Sequence, residues 1–549
     1  MIAEAARHAT SNAGSWLRSS LLAGSLAGLL VAGGTGCTLT FEPEWPEENV
    51  LVLAQANAPI HLDPRVGTDA ASGKIAQLVF NGLVTKDPRG NLIPDLAKSW
   101  EVLDGGRRWR FHLRRGVRFH DGSRLTADDV VWTFGSITDG TVATAKAGAF
   151  RRVRAIRALD EHTVDFVLDE PFGSFLVDLT PAQGIVPAGA LPEAMGEHPV
   201  GTGPFRFVGK TPETVTLARF EDHWAGAPHL EKVVIREIPD STVRALELMK
   251  GTVQLVINDL PPDLIPRFRA HPAYRVAEDP SAVYAYLGLN LRDPVLSDVR
   301  VRRALAHGID RERLVATLWR GLGTVTETVL PPGLWARNEH LEPYLYDPER
   351  AEELLDEAGH PDPDGDGPGV RFTLTYKTST TEEYVLQAQI IQRMLAEIGV
   401  GIEIRSMEFG TFYSDVQHGN FQIFSLNRFG AIDPNIYALI LQSDNVPPRG
   451  QNRGYYQNPE FDRLIDAAAR LTDPEARRPL YLRAQEIFRD DLPYISLYTR
   501  DTVAVMPAIL KGYVNYPTGE LFSLKEVYWD RAGSEKPAAN PKRSRVSPL

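Results

Sequence analysis

The chain has a single cysteine, Cys37, in 549 residues. A disulfide framework and a thiolate metal site are therefore excluded, since each needs more than one thiol. Long apolar runs are also missing. Residues 21–32 are the greasiest stretch, about a dozen residues long, against the roughly 20 needed to cross a bilayer. The motifs G-x-x-x-x-G-K-[ST], G-x-S-x-G and H-E-x-x-H are all absent, which removes support for a phosphate cradle, a nucleophile elbow and a zincin site. Positive charge is in deficit: 59 Lys and Arg face 71 Asp and Glu, for a net charge of −12. Such a surface repels phosphate backbones, so broad nucleic-acid binding is not expected.

What is present begins with the N-terminus. Arg7 and Arg18 precede the apolar run, and small residues follow it, the pattern of a secretion signal over residues 1–36. A cysteine directly after such a core, here in "VAGGTGCTLT", resembles the lipidation site of bacterial lipoproteins, which implies that Cys37 carries a lipid and becomes the new N-terminus. The remaining composition, 24% charged and 43% hydrophobic, is that of a globular chain long enough for two or three domains.

Strand and helix signals alternate along the chain, which argues for an α/β fold. In "RLTADDVVWTF", Thr126 and Asp129 have capping-box spacing, with Leu125 and Val130 placed as a hydrophobic staple. In "YDPERAEELLDEAG", Asp347 caps, Pro348 opens the helix, and Ala351, Leu354, Leu355 and Ala358 share a face. "NPEFDRLIDAAARL" repeats the device with Asn458, Pro459 and the stripe Phe461, Leu464, Ile465 and Ala468. Strands are expected at residues 233–238 and 284–291. The polar, basic residues 530–549 read as a disordered tail.

Metal readings are weak. "DPDGDG" opens like a calcium loop at Asp362, but its twelfth position is Thr373, where a bidentate glutamate is required, so a turn is the better reading. His223 and His229 flank Trp224, and surface packing is expected there rather than a metal. The adjacent pairs Asp128–Asp129 and Asp490–Asp491 do not suit acid–base catalysis, because helix neighbours point about 100° apart.

Five blocks, in order, carry a family resemblance: "IHLDPRVGTDAASGKIAQLVFNGLVTKDPRGNLIPDLAKSWEV" (60–102), "WRFHLRRGVRFHDGSRLTADDVVWTF" (109–134), "PVGTGPFRF" (199–207), "YLGLNLRDPVLSDVRVRRALAHGIDRERLV" (286–315) and "NRGYYQNPEFDRLI" (452–465). Together the blocks resemble the extracellular solute-binding proteins of family 5, the peptide and nickel type, which are the ligand receptors of bacterial ABC importers. The resemblance implies a two-lobed, class II periplasmic-binding-protein-like fold with an inserted subdomain and a two-strand hinge. It places the first lobe at 47–80, 196–285 and 494–529, the inserted subdomain at 81–195 and the second lobe at 286–493. "YLGLNL" and "LPYISLY" stand where the hinge strands should cross. It further implies a monomeric receptor in the periplasm or on the outer face of the cell membrane, held by a lipid, whose partners are a small-molecule or peptide ligand and permease subunits.

The resemblance also implies two ligand-pairing edge segments. One is residues 67–71, with Thr68, Asp69, Ala70 and Ala71. The other is residues 427–433, with Asn427, Arg428, Phe429, Gly430 and Asp433. Backbone pairing ignores ligand side chains and suits a receptor of many peptides. Arg428 reads either as a carboxylate clamp or as a surface charge, Phe429 as apolar cover or core, and Asp69 as a cleft carboxylate or a solvent-facing one. Peptide-binding relatives place an ammonium-binding aspartate near Gly430. Here Asp433 stands two residues beyond Ala431, and before Pro434 it reads as a helix cap rather than an amine receptor. No cofactor and no catalysis are expected. The alternatives are a receptor for a nickel chelate, haem, an opine or a sugar-like solute, which no histidine cluster supports although His418 is near in sequence, and a secreted hydrolase using Asp433.

Overall fold

The computed structural model describes residues 43, 45–46, 48–365, 367, 369–430, 433–447 and 450–531. The leader, Cys37 and residues 532–549 lie outside them. The described residues form a single compact unit.

One mixed sheet runs through this unit. At one end Val50–Gln55 lies parallel to Lys232–Glu237 and to Leu255–Ile257. At the other end Phe372–Ser379 lies parallel to Val400–Met407 and to Ile423–Phe429. Parallel strands need crossover connections, and helices such as Ser241–Lys250 and Glu382–Ala396 supply them. The two parallel halves are joined by a long antiparallel pair, Tyr274–Leu289 and Tyr494–Pro507. These are the two hinge strands of a two-lobed fold.

The pair is longer than the sequence signals indicate. The strand expected at 284–291 begins ten residues earlier, at Tyr274, and ends at Leu289. The register shifts between Pro280 and Val283, a bulge that accommodates a proline without an amide to give. Leu255–Ile257 pairs with Val505 and Ala504, whereas Ile423–Phe429 pairs with Val283 to Leu289, so the bridging span lies around Pro280 and Asp501. Residues 286–289 of "YLGLNL" and 494–498 of "LPYISLY" lie on these strands, toward their second-half ends and away from the bridging span.

Local signals behave as their chemistry requires. The Asp129 carboxylate accepts the Thr126 amide at 2.7 Å, closing the capping box of helix Ala127–Thr138. Asp347 and Asn458 cap helices Pro348–Glu357 and Pro459–Arg470, whose apolar stripes are buried. A separate antiparallel sheet, in the order Ala97–Leu103, Arg108–Leu113, Thr163–Leu168 and Val153–Asp160, packs with helix Ala127–Thr138 around Trp109, Phe111, Phe134, Phe166 and Phe175. This is a core of its own, distinct from the clusters on the large sheet. His223 is buried, with its pKa pushed down to about 4 chiefly by burial, and its Nδ1 meets the Gly226 carbonyl. His229 packs edge-on against Tyr528. The Asp362 side chain accepts the amides of Asp364 and Gly365, an Asx turn.

Candidate functional site

Ligands of α/β sheets collect beyond the carboxyl ends of parallel strands. Past the end of Val50–Gln55 the chain makes a tight turn at "HLDP". Asp63 and Arg65, fully buried, pair at 2.6 Å. Arg65 also donates to Ser136 Oγ and the Ala190 carbonyl, so the turn is fastened to the small sheet's helix. Gly67 is required here, because a Cβ would stand 2.7 Å from the His61 carbonyl oxygen.

Thr68 is exposed and Asp69 half-buried. Asp69 is the N-cap of helix Ala70–Val79, accepting from the Ser72 amide at 2.8 Å and from Ser72 Oγ at 2.5 Å. Its carboxylate therefore closes the helix start, a role that neither sequence reading of it named. Ala70 and Ala71 lie in the first helical turn, and Ala71 is buried, so only residues 67–69 of the expected edge segment precede the helix. The helix start borders a cavity of about 190 Å³ whose lining includes His61, Thr68, Asp69, Ser72, Lys146 and Gln183. Lys146 donates to the Pro64 carbonyl at 2.6 Å, and burial pulls its pKa down to about 8 against the attraction of Asp63 and Asp69. Sequence reading missed Lys146 and Gln183. Nothing in "TVATAKAGAF" or "PAQG" marks them, because only the tertiary fold brings them to residues 61–72.

On the second segment, Asn427, Arg428 and Phe429 pair with Ala285, Tyr284 and Val283. The neighbouring strand Phe372–Ser379 is paired to Ile423 and Phe424 and touches Ser425 through Thr378, so, among the described residues, 426–429 have no strand partner on that side. The Asn427 side-chain oxygen and Arg428 Nε are enclosed without hydrogen-bond partners, while Arg428 Nη2 donates to Gln451 Oε1 at 2.7 Å. Gly430 adopts φ +69°, a left-handed conformation costly for other residues, and its amide donates to the Ala282 carbonyl. A Cβ there would lie 3.9 Å from Thr518 Cγ2, so the loop approaches residues that follow the second hinge strand.

Asp433 is not the cap of the next helix. That helix, Ile436–Leu441, has Asn435 at its N-cap without a side-chain bond. Asp433 Oδ1 instead accepts the Asn435 amide at 2.8 Å and Ser174 Oγ at 2.6 Å. Pro434 has no amide to offer, so the carboxylate turns the chain one step early and reaches across to Ser174. Arg477 completes the junction, donating to Ser174 Oγ at 2.7 Å and the Gly173 carbonyl at 3.0 Å. Asp178 lies close by, its pKa raised to about 7 by burial first and the Asp433 charge second. His418 stays with its own helix, its Nδ1 on the Ser414 carbonyl.

A family model, "Bacterial extracellular solute-binding proteins, family 5 Middle", matches residues 91–447. The chain belongs to this family. Among curated proteins it is 29% identical over 514 residues to Heme-binding protein A of Haemophilus influenzae, covering 88% of this chain and 93% of that protein. It is 27% identical over 506 residues to the Dipeptide-binding protein of Escherichia coli, covering 86% and 94%. Among solved structures, HbpA2 from Haemophilus parasuis superposes with a TM-score of 0.79 at 27% identity, covering 87% of this chain and 99% of that one. Family 5 proteins are solute-binding proteins.

Proposed function

We propose that this protein is the receptor of a bacterial ABC importer, capturing a dipeptide, an oligopeptide or a related polar solute and delivering it unchanged to permease subunits. In this reading residues 47–80, 196–285 and 494–529 form one lobe, 81–195 its inserted subdomain and 286–493 the other, and the solute sits between them. The observation that supports it most is the open edge of residues 426–429, beside the hinge, in a chain of this family. Extended peptide backbone pairs with such an edge whatever its side chains. Thr68, Asn427, Arg428, Phe429 and Gly430 are retained as ligand-facing residues. Asp69, Ala70, Ala71 and Asp433 act through the turns they hold. The receptor is monomeric, works without catalysis in the periplasm or on the outer face of the cell membrane, and is tethered through Cys37.

A second reading, a haem receptor of the same fold, is favoured by the identity to Heme-binding protein A. Mass spectrometry of the solute retained by the purified protein, followed by calorimetry with that solute, separates the two. A retained, intact peptide supports the first reading and a porphyrin the second, whereas cleavage of an added peptide pool contradicts both. In the same preparation Cys37→Ser is expected to leave the detergent phase, and unchanged partitioning contradicts the tether.

A further inference from the structure

The insert, residues 81–195, is fixed to the first half of the large sheet by both kinds of contact. Its Val186 and Met195 belong to the apolar core that holds Leu51, Leu53, Val233 and Ile235. Thr144 and Lys146 donate to the Arg65 and Pro64 carbonyls, and Lys86 pairs with Glu520 at 2.9 Å. Such packing cannot part without exposing apolar surface to water, so the insert and the first half move as one body.

Toward the second half the contact is of another kind. Loop 171–174, "PFGS", sits on the corner between helices Pro459–Arg470 and Pro474–Asp491. The Gly173 amide donates to the Ala469 carbonyl at 2.8 Å. Arg477 donates to the Gly173 carbonyl at 3.0 Å and to Ser174 Oγ at 2.7 Å, and that hydroxyl donates to Asp433 Oδ1 at 2.6 Å. All four bonds cross from the insert to the second half. Apolar packing does not follow them: among the described residues the core of the insert and that of the second half are separate clusters. A junction of hydrogen bonds alone can open into water, which replaces each partner.

The second half holds its side of the junction ready. Arg477 donates to Tyr481 Oη at 3.1 Å and lies 5.4 Å from the ring centroids of Trp335 and Tyr481, all from the second half. Its carboxylate neighbour, Asp433, is 3.8 Å away, and the Ser174 hydroxyl bridges the two. The fit is close. A Cβ on Gly173 would run into the Leu471 carbonyl oxygen and stand 3.0 Å from Arg477 Nε. Gly173 is not left-handed, so its own backbone accepts alanine, and it is the second half that demands glycine.

We propose that loop 171–174 of the insert, with Ala469, Arg477 and Asp433, forms a clasp that is made when the halves close on a solute and that sets how slowly the solute leaves. The proposal rests on the receptor reading and gives the insert a share in retaining the solute. A swing about the hinge strands carries the insert with the first half, so it must break all four bonds. Arg477 and Asp433 are positioning residues here and touch no solute.

The test uses the purified full chain, freed of solute, and a panel of dipeptides, tripeptides and haemin, from which the tightest binder of the parent serves as probe. Gly173→Ala sets a methyl group against Leu471, and Ser174→Ala removes the hydroxyl between Arg477 and Asp433. Stopped-flow displacement should show the probe leaving each variant at least about tenfold faster than the parent, with association little changed. The melting temperature of each ligand-free variant should match that of the parent, because an open receptor does not use the junction. An unchanged dissociation rate in either variant, or a ligand-free melting temperature that falls in either, marks a permanent packing contact; it overturns the clasp and leaves the receptor reading standing. Failure of every panel member to bind the parent overturns the receptor reading and the clasp with it.

Discussion

Asp69, Asp178 and Asp433 are all carboxylates in the region of the candidate site, and their surroundings give them different work. Asp69 and Asp433 accept backbone amides at 2.8 Å and fix the chain's direction. Asp178 holds its proton into the neutral range, its pKa raised to about 7 by burial and then by Asp433, with Arg152 opposing. A raised pKa means that the folded state binds the proton more tightly than the unfolded one. The stability it contributes is complete below the ordinary carboxylate pKa and is lost as pH rises through about 7. Asp178→Asn should therefore gain melting temperature over the parent at pH 8 and show little gain at pH 4. Subtracting the two profiles isolates this group from Asp95, raised to about 7 mainly by burial, and from His120, lowered to about 4 mainly by burial. Parallel profiles would contradict the assignment.

Helix starts were legible in the sequence because a cap is local. Asp347, Asn458 and the Thr126–Asp129 box each act within a few residues, so spacing alone carries the information. The first hinge strand was legible only in part. "AEDPS" has the composition of a turn, and it is pairing with Tyr494–Pro507 across a bulge that keeps Pro280 in a strand. At Asp433 the Asp-Pro pair was read as a cap, but helix geometry begins three residues later, at Ile436, and a hydroxyl 259 positions away in sequence claims the carboxylate. Asp69 was not read as a cap at all, and its role makes a clear prediction. Asp69→Ala should cost about 1 kcal/mol of unfolding free energy by denaturant titration, and Asp69→Asn only a few tenths. Equal stability of all three proteins would mean that the cap contributes nothing to this helix.

At the scale of the molecule, the family and the two-lobed fold were legible because five blocks stand in order along the chain. Much of the candidate site was not. Lys146, Gln183 and Ser174 come from the strand-and-helix insert, and Arg477 from helix Pro474–Asp491, so their neighbours are set by topology rather than spacing. In the proposed receptor the two halves of one sheet, joined by Tyr274–Leu289 and Tyr494–Pro507, close on a solute. Small-angle scattering of the purified protein, stripped of solute and then saturated with the solute it retains, tests this most directly. The saturated sample is expected to have the smaller radius of gyration, because closure expels the water between the lobes. An identical radius with calorimetrically proven binding would contradict it.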